Sequence, residues 1–401
     1  MLATTALAGV AHAVTVGPVT DDIGVIEIPE GDPIQIGGLM VLSGPDSSLG
    51  LDQSRGAEIA FADRDEMLLD HPIQYLPEDG QCSVEGGQTG ATRLAANTQI
   101  VAVVGPACSS EARGGGPVLW NAGMPMAISS ATAPALTAQD RPEGFQGLVR
   151  FVYNDLAAAA AAVEYVQSQG FARVATLHDG SLYAEQLVQS FQEQFKAAGG
   201  EVVASEAIAP TDTDLRPVLT RIGTGAPQIL YAPIFVGASA YLVRQAGEIR
   251  SMADVPLLGS DAVLAPAFLD AAGDDAVGYR IIGIDNDPAV LGERYVEFVQ
   301  KYEDEFGEPP IAGFHANGYD AASAVMAAIE KVAVTEDGTT YIGRKAFRDA
   351  LMATKDMPGV SGTVSCDPHG DCSAAAFAVF EFTDSDSSSF EVGVNPKKMW
   401  P

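Results

Sequence analysis

The chain has 401 residues, 47% of them apolar and 19% charged, and its 22 Lys and Arg against 53 Asp and Glu leave a formal charge of −31. That length exceeds what one hydrophobic core serves, so two domains are expected, and the composition excludes a disordered chain. The charge excludes a nucleic-acid backbone as partner and a basic face docked on anionic lipid; it reads as a solvated surface.

The N-terminal residues are small and apolar and end Val10-Ala11-His12-Ala13, the A-x-A form of a signal-peptidase site. No basic stretch precedes them. Residues 1–13 therefore read as a signal-peptide remnant, and the protein as periplasmic or otherwise extracytoplasmic. No Cys follows the site, so no lipid anchor is indicated. No internal run reaches the roughly 18 apolar residues of a membrane helix. Residues 14–33 are acidic, contain Pro18, Pro29 and Pro33, and read as an arm over the surface.

From residue 34 onward, strands and helices alternate. Short runs rich in Val, Ile and Leu, bounded by Gly, Pro or Asp, predict strands near 34–42, 72–76, 99–104, 125–129, 173–177, 228–233, 256–258 and 279–284. Helices are predicted over 54–69, 155–169, 183–198, 237–248, 290–306, 316–332 and 343–354. The best of them places Leu187, Val188, Phe191 and Phe195 on one face and stops at Gly199-Gly200. Such alternation predicts an α/β protein with parallel sheets covered on both faces. Two sheets fit the length, the first unit running to about 150. Near the end, 373–382 reads as a strand and Asp384 to Ser389 as an exposed loop.

The four cysteines, Cys82, Cys108, Cys366 and Cys372, allow three pairings. They form no C-x-x-C unit and no His cluster accompanies them, so no metal is expected. Behind a signal sequence an even count suggests disulfides, Cys82–Cys108 and Cys366–Cys372 being the natural pairing. Four buried thiols are the alternative. Residues 366–372 read as a tight turn.

Catalytic signatures are missing: there is no H-E-x-x-H, phosphate loop, G-x-S-x-G elbow or EF-hand loop. His12, His71, His178, His315 and His369 are scattered. A triad is recognised by geometry, so a spatially assembled hydrolase stays open. The polar residues stand instead where predicted strands end, and ligands of open α/β sheets bind beyond those ends. Ser109 and Ser110 follow the strand 99–104 at a helix N-terminus, a ready carboxylate site. Ser129 closes the strand 125–129, and Ser130 and Thr132 follow it. Tyr183 follows 173–177 and is placed to cover a ligand. Asp261 follows 256–258 as a counter-charge for an ammonium group. Each is an ordinary cap or core residue when taken singly; together they describe a cleft for a zwitterion such as an amino acid.

These residues carry a resemblance to a known family. Gly37-Gly38-Leu39-Met40-Val41-Leu42-Ser43-Gly44-Pro45, Gly50 and Arg55-Gly56-Ala57-Glu58 resemble the first strand, loop and helix of the leucine/isoleucine/valine-binding proteins, type I periplasmic substrate-binding proteins of ABC importers. Glu78-Asp79-Gly80-Gln81-Cys82 and Gly105-Pro106-Ala107-Cys108-Ser109 are similar to segments joined by a disulfide in many members. The stretch from Ile128 to Thr137, Arg244-Gln245-Ala246 and Gly362 to Asp367 also match. The likeness covers about 34–382.

The resemblance implies two Rossmann-like lobes joined by a three-segment hinge, with crossings near 151, 284 and 361: lobe 1 from 34–150 plus 285–360, lobe 2 from 151–284 plus 361–401. Ser109 and Thr132 would hold the ligand carboxylate, helped by backbone groups at Ser130 and Ala131. Tyr183 would cover the ligand, Asp261 would take the ammonium, and Phe235 would line the cleft. Leu49 and Ile234 stand where members often carry aromatic residues, and the Ser-Ala-Thr stretch is one residue shorter, so the pocket wall differs. The expectation is a non-enzymatic, cofactor-free, monomeric receptor. It would capture an amino acid, branched-chain ones included, or a similar small carboxylate, and deliver it to an ABC permease. The alternatives are a ligand-binding sensor domain of a signalling system and the hydrolase above.

Overall fold

The computed structural model describes residues 13–401, so the signal-peptide reading lies outside the described residues but for Ala13. Two sheets organise the chain. The first has six strands in the order Met67–Leu68, His71–Asp79, Ile34–Met40, Ile100–Val104, Met126–Ile128 and Leu148–Arg150. All its pairings are parallel except the short hairpin at Met67–Leu68. The second has seven, in the order Glu201–Ala207, Arg173–His178, Ile229–Tyr231, Leu257–Ser260, Arg280–Ile284, Phe377–Glu381 and Lys397–Trp400. Its first five strands run parallel and the last two are antiparallel additions. Strands such as Ile100–Val104 are buried along their whole length because helices cover both faces.

In each sheet the first strand of the unit lies between its second and third. Connections leave that strand and its third neighbour toward opposite faces, which opens a crevice at their carboxyl ends. The crevice of the first unit lies beyond Met40 and Val104, that of the second beyond His178 and Tyr231.

Helix ends follow local chemistry. The helix Leu182–Ala197 is capped by Ser181, whose hydroxyl accepts the Ala184 N–H at 3.2 Å, and it buries Leu187, Phe191 and Phe195. The helix expected over 54–69 instead spans Ser47–Ala62, and the chain turns through positive φ at Asp65 and Glu66 into a strand. The helix expected over 290–306 breaks at Gly292 into Pro288–Leu291 and Glu293–Phe306.

Val84–Ala96, a glycine-rich helix, is not among the helices expected, whereas the equally glycine-rich Ser109–Asn121 starts where a helix N-terminus was expected. Their close packing explains them. A Cβ on Gly87 would lie 2.4 Å from the Glu111 carbonyl oxygen, and one on Gly114 would lie 2.0 Å from that of Val84. Tertiary approach, not intrinsic preference, selects glycine here.

The lead over 14–33 is not a free arm. Val25–Ile28 pairs antiparallel with Thr339–Gly343, burying Ile26 and Ile28. The Asp21 carboxylate accepts the N–H groups of Lys345 and Ala346 at the start of the helix Arg344–Met352. The period-two pattern Val-Ile-Glu-Ile is what ties it down.

The chain passes between the sheets three times. It leaves the first after Arg150, returns after Ile284 and joins the second again at Phe377. This last passage comes later than residue 361. Asp320, on the helix His315–Val332, accepts the N–H groups of Val360 and Ser361, and the turn 366–372 is hydrogen-bonded to Arg150. Cys82 is bonded to Cys108 and Cys366 to Cys372.

Candidate functional site

Loops at the carboxyl ends of both sheets meet around a small cavity of about 20 Å³. The first unit supplies its polar wall. Ser109 is the first residue of its helix; its hydroxyl oxygen accepts the Ala133 N–H at 3.2 Å, which leaves the hydroxyl proton free to donate. Ser130 donates to the Ala107 carbonyl at 2.6 Å and ties its loop to the one after Val104. Among the described residues the Thr132 hydroxyl, buried on the cavity wall, makes no well-formed hydrogen bond, but it lies beside the Asp155 carboxyl and favours its ionised form.

The second unit supplies a carboxylate and aromatic cover. Asp261 is fully enclosed; its carboxylate accepts the Tyr153 hydroxyl at 2.7 Å and the Ile284 N–H at 3.3 Å. Tyr183 donates to the Ser260 hydroxyl at 2.7 Å, and its ring lies 5.5 Å from that of Phe235. Of the seven ligand residues singled out in the sequence, Ser109, Ser130, Thr132, Tyr183, Phe235 and Asp261 line this one cavity. Ala131 does not line it; its carbonyl faces the Arg150 guanidinium at 3.4 Å.

Leu49, Tyr153 and Phe314 are among the wall residues not foreseen as ligand contacts. Leu49 appeared only as a departure from the family's aromatic. Tyr153 sits in the first passage between sheets, directly beyond Arg150, where the strand-end rule would have found it. Phe314 precedes the helix His315–Val332, and Asp52 fixes its backbone by accepting the Phe314 N–H at 3.0 Å. No local sequence signal marks Phe314.

Burial dominates the electrostatics. Desolvation pushes the Asp261 carboxyl up to about 6, although the Tyr153 and Ile284 hydrogen bonds work against it. Asp155, just beyond the first passage, is wholly buried, and among the described residues neither carboxylate oxygen makes a well-formed hydrogen bond, Thr132 being the hydroxyl beside it. Desolvation carries it up to about 8 and so favours the neutral form, against the pull of Thr132 and Arg150. Burial also raises the Tyr153 and Tyr183 hydroxyls far above their ordinary range, so both stay protonated donors.

The cavity rim is stitched by hydrogen bonds between the units. Asp46 accepts the Val236 N–H at 3.1 Å, Ser110 the Leu182 N–H at 3.3 Å, and Gln186 the Ala135 N–H at 3.0 Å. Among the described residues, no group of side chains is arranged to hold a metal ion, and no helix is long and apolar enough to cross a membrane.

Residues 33–385 match the model of the periplasmic binding protein family. The chain belongs to that family. It is 26% identical over 353 residues to the Leu/Ile/Val-binding protein BraC3 of Rhizobium johnstonii, covering 87% of this chain and 91% of that one. It shares its fold with the branched-chain amino acid transporter substrate-binding protein LivJ of Streptococcus pneumoniae in complex with isoleucine, at a TM-score of 0.76 and 22% identity, covering 92% of this chain and 100% of that chain. A solute-binding protein from R. palustris in complex with benzoate aligns at a TM-score of 0.74 and 19% identity, covering 92% of this chain and 96% of that chain. The fold is that of type I periplasmic binding proteins. Family members are non-enzymatic substrate-binding proteins of ABC transporters, and the hydrolase alternative falls away.

Proposed function

We propose that this protein captures an amino acid between two lobes that close over it, and hands it to an ABC permease. The lobes are the two units, and the three passages between sheets form the hinge. The observation that carries the reading is the opposition of two walls of one cavity. Ser109 and the Thr132 hydroxyl stand on one, and the Asp261 carboxylate stands on the other. Hydroxyl donors suit a carboxylate, and a desolvated carboxylate suits an ammonium group. Tyr183 and Phe235 cover the space between. The names of the relative and of the isoleucine complex support an amino acid with an aliphatic side chain.

A second reading is an aromatic carboxylate without an ammonium group. Tyr153, Tyr183, Phe235 and Phe314 line the cavity, and the benzoate complex has the same fold. In that case Asp261 binds in its protonated form. The two readings part on Asp261. A thermal-shift screen of all amino acids and of small aliphatic, aromatic and dicarboxylic acids, on protein first stripped of bound ligand, tests them. The amino-acid reading expects a saturable rise with amino acids that Asp261→Ala abolishes. A rise with acids alone, kept in that variant, overturns it. Delivery to the permease and action as a monomer belong to the same proposal.

A further inference from the structure

Arg150 ends the last strand of the first sheet, and none of its side chain is exposed. Its Nη1 donates to the Ala133 carbonyl at 2.9 Å and to that of Ala131 at 3.4 Å, and its Nη2 donates to the Thr137 hydroxyl. With those carbonyls turned to the guanidinium, Ser130 and Thr132 between them present their side chains to the cavity. On its other edge, Arg150 Nε donates to Asp371 at 2.7 Å. The second oxygen of Asp371 accepts Asn154 Nδ2 at 2.9 Å, and Asn154 caps the helix that starts beyond the first passage.

Asp371 stands in the turn that the Cys366–Cys372 bond closes. That turn also grips the Arg150 backbone from both sides: Arg150 N–H donates to the Gly370 carbonyl at 2.6 Å, and Cys372 N–H donates to the Arg150 carbonyl at 2.8 Å. A buried guanidinium is tolerated only when its charge is matched and its donors are used, and its rigid fork fixes the direction of each acceptor. The turn is thus the support on which the loop Ser130–Ala133 rests, through one side chain.

We propose that Arg150, held by Asp371 in the disulfide-closed turn, is a positioning residue that sets the affinity of the Ser130–Ala133 loop for the ligand's carboxylate. The inference rests on the capture reading above for its ligand, but not for its geometry. The Cys366–Cys372 bond therefore sustains binding from outside the cavity, and Asn154 extends the same support into the hinge.

The test compares the full chain with Asp371→Asn, Asp371→Glu and the double change Cys366→Ala with Cys372→Ala. Hydrogen exchange is read first, without ligand. Amides between Ser130 and Thr137 are expected to exchange at least tenfold faster in Asp371→Asn and in the double variant, while those of Leu182–Ala197 keep their rates. Asp371→Glu, which keeps the charge, is expected to restore most of the protection. Affinity is read second, with L-leucine, L-leucinamide and benzoate. Whichever carboxylate saturates the parent protein is expected to bind roughly tenfold more weakly to Asp371→Asn, the scale on which supporting partners of binding residues act. Leucinamide affinity is expected to stay constant. Unchanged protection between Ser130 and Thr137 overturns the proposal, as does an equal loss for leucinamide. Should neither carboxylate saturate the parent, the capture reading fails for these probes, and the exchange result still decides the role of Arg150.

Discussion

The Tyr153 hydroxyl donates to the Asp261 carboxylate at 2.7 Å, so a residue of the first passage between the sheets orients the acid of the second unit. On the proposed reading, hinge and ammonium site are therefore joined by one hydrogen bond. Tyr153→Phe removes a hydrogen bond to a charged group, worth about 1.5–3 kcal/mol. The expected outcome is an amino-acid affinity at least tenfold weaker and an Asp261 carboxyl pushed above about 6, because that hydrogen bond holds it down. Calorimetry across a pH series reads both.

Thr132→Val should move stability and binding in opposite directions. Among the described residues its buried hydroxyl makes no well-formed hydrogen bond, and such a group costs about 1–3 kcal/mol. Replacing it with a methyl group of the same shape is expected to raise the ligand-free melting temperature by roughly 2–4 °C. The same change removes a donor to the ligand carboxylate and is expected to weaken binding at least tenfold. A structural threonine would lose stability instead. Scanning calorimetry with titration of the same sample separates the cases.

The rim carries a pH-sensitive bond. Asp46, in the first unit, accepts the Val236 N–H that opens a helix of the second, and desolvation raises Asp46 to about 6, with Asp179 adding like charge. Opening the cleft returns Asp46 to water, where its ordinary value is 3.8. The closed form therefore holds the proton more tightly, and closure is favoured progressively as pH falls from 6 toward 4. Asp46→Asn keeps the acceptor oxygen without the charge. Its closure, followed by small-angle scattering with ligand present, is expected to lose this pH dependence. Asp46→Ala is expected to close less readily than the parent below about pH 4, where Asp46 is neutral and keeps its hydrogen bond, by about 1 kcal/mol.

Asp261 gives the opposite slope for an amino acid. An ammonium partner needs the ionised carboxylate, so on the Asp46→Asn background amino-acid affinity is expected to fall below pH 6, by up to about tenfold per pH unit. A carboxylate without an ammonium group is expected to bind more tightly over the same range. Titration between pH 4.5 and about 7.5 shows which slope holds.

The Cys82–Cys108 bond closes a loop with a sequence separation of 26. In the chain-entropy model such a loop contributes about 3.5 kcal/mol. Glu111, buried between the two, accepts the N–H groups of both cysteines at 2.9 Å. Cys82→Ala with Cys108→Ala is expected to lower stability by about that amount, read from denaturant unfolding.

What the sequence made legible follows from burial. Parallel strands enclosed on both faces read as unbroken apolar runs, and the polar residue just beyond each run is the one that reaches the crevice. Ser109, Thr132, Tyr183 and Asp261 were visible for that reason. Val84–Ala96 was hidden because its glycines serve a neighbouring helix, which local preference does not record. Phe314 was hidden because its place depends on Asp52, 262 positions away. The strand Val25–Ile28 was masked by flanking prolines, and the wall position of Tyr153 becomes plain only once Arg150 is known to end a strand.

The most direct measurement is calorimetric titration of ligand-stripped protein at pH 7 with L-leucine and with 4-methylpentanoate, which keeps the carboxylate and side chain but lacks the ammonium group, repeated on Asp261→Asn. The account predicts that L-leucine binds at least tenfold more tightly than 4-methylpentanoate to the parent protein, and that Asp261→Asn erases the difference, because the ligand's ammonium group loses its partner charge. Equal or tighter binding of 4-methylpentanoate by the parent protein would contradict it.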